Sequence, residues 1–214
     1  MPGVSRNQLY RREFNSGPDV DRTAFFSDAV FAIAMTLLAV GIQVPRVPAD
    51  QLGEAVAGQF REFAAYALSF VVTAAYWLSH HRLFRSLRGF TQSLQRLNLL
   101  LLLFVALIGY ATDVLAFYAD EAVGVAIYAG LLGLTGTVDT LMWLYCSRRG
   151  LFRDGLPPEL LRTAWIRAGI APAVFLLSIP IAFLDEDVAK YSWLAMVVIN
   201  LLVGIHDRRP LPGL

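Results

Sequence analysis

Arg22-Thr23-Ala24-Phe25-Phe26-Ser27-Asp28-Ala29-Val30-Phe31-Ala32-Ile33-Ala34-Met35-Thr36-Leu37-Leu38-Ala39-Val40-Gly41-Ile42 decides the fold. After Asp28 no charge appears before Arg46. At about 1.5 Å per residue, a helix of that length crosses the hydrocarbon core of a bilayer. A carboxylate leading such a helix is expensive in lipid, so Asp28 is a candidate functional group, with a structural hydrogen-bonding role as the competing reading.

The composition points the same way. Of 214 residues, 57% are hydrophobic and 16% charged, with a mean hydropathy of +0.55. A soluble domain of this size could not bury that much apolar surface in one core. The net charge of +1 gives no case for nucleic acid, which requires a basic face. Cys146 is the single cysteine, so no intrachain disulfide can form. Residues 1–20 lack the apolar run of a cleavable signal peptide, and the first helix is expected to serve as the insertion signal.

Outward from the first helix, the chain divides into an N-terminal tail (1–21), an all-α membrane domain of six helices (22–206) and a C-terminal tail (207–214). The first span runs from about Arg22 to Val44, where Pro45 and Pro48 stop it. A second helix begins near Asp50, with Glu54, Arg61 and Glu62 at the interface and residues 63–79 in the core. His80, His81, Arg82, Arg85 and Arg88 form the next loop, and the third span covers about 94–118. Asp120 and Glu121 make a tight turn into the fourth span, 122–146, where Gly130, Gly133 and Gly136 are spaced for close helix contact. The fifth covers 161–184 with Pro172 and Pro180 inside it, and the sixth 188–205.

Basic residues segregate by loop. Arg6, Arg11, Arg12 and Arg22 flank the first helix; Arg82, Arg85, Arg88 and Arg96 the second loop region; Arg148, Arg149, Arg153, Arg162 and Arg167 the fourth; Arg208 and Arg209 the C-terminus. The opposite side holds Arg46, Lys190 and Arg61. The positive-inside rule therefore places both termini in the cytoplasm, as an even number of spans requires. The expected location is a cell membrane.

On the first helix, Phe26, Ala29 or Val30, Ile33, Leu37, Val40 and Val44 share one stripe at about 100° per residue. Asp28 lies roughly opposite with Ala24, Ala32, Met35 and Ala39, a small-residue stripe that lets neighbours approach and bond the carboxylate. Two readings of the branched stripe stay open. It faces lipid, or it lines a narrow pore that closes by dewetting.

Arg22-x-x-x-Phe26-Ser27-Asp28 before an apolar helix resembles the signature of the transmembrane protein 175 family, the lysosomal and prokaryotic potassium channels. Trp77-Leu78-Ser79-His80-His81-Arg82 and Asn98-Leu99-Leu100 support the resemblance, and it covers nearly the whole chain. One departure is Gly109-Tyr110, where the family leads one to expect Pro-Phe. The resemblance implies a homotetramer in the lipid bilayer that passes potassium and other monovalent cations through a pore formed by four copies of the first helix. It places a hydrophobic constriction at Ile33, further apolar layers at Leu37 and Val40, and an ion-facing hydroxyl at Thr36. Arg22, Phe26, Ser27 and Asp28 then form a structural network behind the pore, with Trp77, His80, His81 and Asn98 as partners. No cofactor is implied beyond potassium as the permeant ion.

Other chemistry finds little support. There is no Thr-Val-Gly-Tyr-Gly filter, no G-x-S-x-G elbow, and no H-E-x-x-H spacing, so neither a carbonyl-ring filter nor a hydrolase nor a metal site is expected. Asp113 is expected to snorkel or cap near the outer end of its helix. Asp139 is deeper and is expected to bond Thr137, Thr140 or a tryptophan. The alternative function is a proton-coupled or proton-conducting transporter using Asp28 and Asp139 as carriers, although no inverted repeat is evident.

Overall fold

The computed structural model describes the backbone of residues 18–155 and 158–206 and the side chains of residues 20–155 and 164–196. Expectations for Arg6, Arg11, Arg12, Arg162, Arg208 and Arg209 fall outside the described side chains. Among the described residues the fold is helical, with a lone antiparallel bridge between Leu87 and Phe152. The helices are α1 (Pro18–Leu37), α2 (Leu52–Gly58), α3 (Phe60–Arg85), α4 (Gln92–Ala106), α5 (Ile108–Phe117), α6 (Ala122–Arg149), α7 (Pro158–Ala182) and α8 (Glu186–His206).

Five of the described segments are long and apolar enough to cross a membrane: Val20–Gly41, Phe60–Arg85, Gln92–Phe117, Ala122–Arg149 and Ala164–Ala182. The first tightens into a 3-10 turn, Leu38–Gly41, before the prolines, and ends short of the expected Val44. The second does not stop at residue 79. His80, His81, Arg82 and Arg85 belong to α3, not to the loop, because His80 is bonded into the bundle and the arginines suit the negative end of the helix.

The third span is two helices. Leu107 donates its N–H to Phe104 O instead of one residue further back, and α5 starts at Ile108. The hydroxyl of Thr112 bonds the carbonyl of Ile108 at 2.8 Å, a contact that bends helices, and Gly109 is a weak helix former beside it.

α6 is the most enclosed helix, with 56% of its apolar window buried against 22% for the first span. It packs most extensively on α7. A Cβ on Gly133 would fall 2.6 Å from Leu176 Cδ2, and one on Gly136 would meet Tyr76 Oη at 2.8 Å and Pro172 Cδ at 2.9 Å, so both glycines are there for closeness. Gly150 (φ 61°, ψ 39°) ends α6 in the left-handed conformation that glycine adopts without strain. The loop beyond is clasped to the end of α3: Arg88 N–H donates to Leu151 O and Arg153 N–H to Ser86 O, both at 2.9 Å. Trp193 packs inside against Tyr128 and Phe175 and donates to Ser178 Oγ at 2.7 Å.

These close approaches make a prediction. Gly133→Val should destabilise the α6–α7 pair by about 1–3 kcal/mol, the usual cost of overpacking. Thermal unfolding in detergent should show it, whereas Gly130→Ala, whose Cβ meets no atom nearer than Ile179 Cδ1 at 4.0 Å, should hold or raise the transition because alanine is the better helix former.

Candidate functional site

The site is built on α1, which α3 and α4 hold from one side. Ser27, Phe31, Ala34 and Leu38 are buried there, at the i, i+4, i+7, i+11 spacing of one helix face. The face turned away from the subunit carries Ala29, Ile33, Thr36 and Val40 at the same spacing, flanked by Phe26, Ala32, Leu37 and Ala39. Ile33 is 58% exposed and Val40 70% exposed. The branched stripe is thus the uncovered face of this chain. The small-residue stripe, however, does not form the packed face as expected. Ala32 and Ala39 turn outward with the branched residues, and Asp28 and Met35 lie at the margin.

Polar bonds fix that rotation. His80 Nε2 donates to Asn98 Oδ1 at 2.8 Å, and Asn98 Nδ2 donates to Ser27 Oγ at 3.0 Å. The Ser27 hydroxyl donates in turn to Thr23 O at 2.8 Å, while the buried His80 Nδ1 has no partner among the described residues. Ser27, His80 and Asn98 are all buried. The His80 ring stacks on Phe84 with centroids 4.3 Å apart and lies 5.6 Å from that of Phe31. A second bond runs from Trp77 Nε1 to Asp28 Oδ1 at 2.8 Å. Burial of Ser27, His80 and Asn98 removes competing water from their bonds and makes them strong orientational constraints, and the half-buried Asp28–Trp77 bond adds to them.

The structure thus brings together Ser27, Asn98 and His80, and separately Asp28 and Trp77. The His81 ring lies beside that of Trp77, centroids 5.5 Å apart. Phe26 is not in either group but exposed on the outward face, and Arg22 is exposed at the helix start with no bond to the other motif residues. Thr36 Oγ1 donates to Ile33 O at 2.8 Å, which leaves its lone pairs free on the outward face. At the C-terminal end of this span Gly41 lies against the Asp113 carboxylate, and a Cβ there would collide with it. Asp113 is exposed and packs beside α1.

One node was not expected. Asp139 accepts at 2.6 Å from Ser79 Oγ, which in turn accepts from Trp143 Nε1 at 3.1 Å. Thr137 and Thr140, the anticipated partners, instead bond the carbonyls of Gly133 and Gly136 in their own helix. The available signal was a helical row of polar groups on α3, Ser69, Thr73, Tyr76 and Ser79, all buried. Among the described residues no hydrogen bond links the Asp28 and Asp139 groups, and no cluster of three or more His, Cys, Asp or Glu could hold a metal ion.

Comparison with known proteins places this arrangement. The family model for the endosomal/lysosomal potassium channel TMEM175 matches residues 22–108, which hold α1 from Arg22 onward and its partners Trp77, His80 and Asn98. The chain is 32% identical over 183 residues to a protein named potassium channel from Streptomyces collinus, covering 82% of this chain and 89% of that one. It is 30% identical over 135 residues to another so named from Chamaesiphon minutus, covering 60% of this chain and 66% of that one. Among solved structures, its fold matches a lysosomal potassium-selective channel TMEM175 homolog from Chamaesiphon minutus with a TM-score of 0.77 at 23% identity, covering 87% of this chain and 98% of that chain. The family is one of ion channels and not of enzymes. This chain belongs to the TMEM175 family.

Proposed function

We propose that the protein is a potassium-permeable channel of six membrane spans whose pore is surrounded by four copies of α1. The observation that carries this reading is the uncovered face of α1, Ala29, Ile33, Thr36 and Val40, held outward by bonds on the opposite face. Its character supports a pore over lipid. Along the membrane-length part of α4 the exposed large side chains are Leu99, Leu100 and Leu103, leucines suited to lipid. The α1 face mixes small and branched residues with a hydroxyl. The potassium channels named among its relatives support the permeant ion.

In this reading α8 (Glu186–His206) is the sixth span. Both termini lie in the cytoplasm of a prokaryotic plasma membrane, as the arginines at the inner ends of α3 and α6 favour. Ile33 forms the narrowest ring. Branched apolar side chains there exclude water, and a cation cannot pass without its hydration shell, so the pore conducts when the ring widens enough to wet. Leu37 and Val40 extend the dry section, and Thr36 offers oxygen between the apolar layers. Passage is passive, and Asp28 stays behind the pore wall on Trp77.

Two outcomes follow. Replacing Ile33 by Asn should wet the ring and raise potassium flux from proteoliposomes about tenfold or more, while unchanged flux in single variants at Ile33, Leu37 and Val40 would remove the pore assignment. Asp28→Ala should reduce the assembled fraction on native mass measurement more than it alters the potassium-to-sodium ratio. A stable oligomer with altered selectivity would place Asp28 in the ion path instead.

A further inference from the structure

One turn of α3 is bonded to three other helices. Trp77 holds Asp28 on α1, His80 holds Asn98 on α4 and through it Ser27 on α1, and Ser79 holds Asp139 on α6. At about 100° per residue, Trp77 and His80 lie about 60° apart on the helix wheel, while Ser79 lies about 100° or more from each. The turn is therefore gripped from two sides. The α1 side carries the anchors that set the rotation of the pore-lining helix; the α6 side carries one buried acid.

That acid is an unusual choice for a mere packing contact. Asp139 is 1% exposed, and its Oδ1 has no hydrogen-bond partner. Two apolar side chains would join α3 to α6 without the cost of a buried, half-satisfied carboxylate. Its satisfied oxygen is spent on Ser79, and Trp143 from the same helix fixes the Ser79 hydroxyl from its other side, so the serine is held as an oriented donor. Asp139 itself lies on α6, away from the outward face of α1.

We infer that Asp139 is a positioning residue for ion conduction, acting through Ser79 on the turn of α3 that fixes the rotation of α1. The inference rests on the reading of α1 as the pore-lining helix. With Ser79 or Asp139 altered, both α1 anchors stay bonded and the oligomer is expected to hold together; a narrow apolar ring changes from dry to wet over small displacements, so the loosened α3 turn should show in ion discrimination.

The test measures potassium and sodium flux from proteoliposomes of the full chain, with oligomer mass recorded beside it. Ser79→Ala and Asp139→Ala should each lower the potassium-to-sodium ratio by about threefold in an intact oligomer, and the double variant should fall no further. Asp139→Asn, whose amide oxygen still accepts from Ser79, should restore the ratio. Combining Asp139→Ala with Trp77→Phe should give an effect that departs from the product of the single ones, though the two side chains share no bond. Unchanged ratios in Ser79→Ala and Asp139→Ala, or effects that multiply independently, would overturn the inference. Should Asp139→Ala fail to assemble, Ser79→Ala against Asp139→Asn decides the point: an altered ratio in the first and not the second supports it, and equal behaviour overturns it. Unchanged flux in the single Ile33, Leu37 and Val40 variants would instead mean that the pore reading had failed, independently of Asp139.

Discussion

A polar group on a membrane helix must find its partner inside the protein, and that constraint fixes the rotation of α1. Ser27 and Asp28 sit on neighbouring positions and reach different helices, Asn98 on α4 and Trp77 on α3. With both bonds made, α1 has no freedom to turn about its axis without leaving a buried donor or acceptor unmet in hydrocarbon. Everything on the far side follows. Ile33 faces outward because Ser27, Phe31, Ala34 and Leu38 face in.

The rest of the bundle serves as a frame for those bonds. Asn98 is usable because α4 begins at a capped turn, where Thr91 accepts from Leu94 N–H at 3.2 Å and fixes the start of the helix. His80 and Trp77 are usable because α3 stays helical past the membrane-length run instead of opening into a loop. α3 in turn rests on α6, which is pressed onto α7 by contacts that only glycines at 133 and 136 permit. The C-terminal end of the first span is set differently: Gly41 lets the close of the 3-10 turn lie against α5 at Asp113.

Much of this was legible in the residues. Length and apolar runs give the spans, and the branched stripe on α1 emerges from period alone, because apolar residues recur at the helical spacing with no charge to confuse them. The family resemblance implied a network of Arg22, Phe26, Ser27 and Asp28 with Trp77, His80, His81 and Asn98, of which the hydrogen bonds join Asp28 to Trp77 and Ser27 to Asn98 and His80. Where the reading missed, it followed the charge. Asp28 was placed on a packed small-residue stripe with Ala24, Ala32, Met35 and Ala39, but the neighbouring Ser27 is the buried residue, and small residues on both sides of α1 left the periodicity unable to distinguish them. His80 to Arg85 looked like a loop because charge was read as exposure; the helix continues because its carbonyl end tolerates arginines and its histidine has a partner. Asp139 had too many hydroxyls within reach for sequence to choose Ser79. The break at Leu107 was not foreseen, because the apolar run continues through it without interruption.

The central claim, that the uncovered face of α1 lines the ion path, is most directly tested by reactivity. Cys146 is buried and is the single cysteine, so a Cys146→Ser background is blank for thiol chemistry. Single cysteines placed along α1 and α4 are then treated with a charged, water-soluble thiol reagent while potassium flux is recorded. The account predicts that modification at Ala29, Ile33, Thr36 and Val40 blocks flux with helical periodicity, while cysteines at Leu99 and Leu103 stay unreactive in lipid. Flux that survives modification along the whole α1 face, or block that follows the α4 leucines, would contradict it.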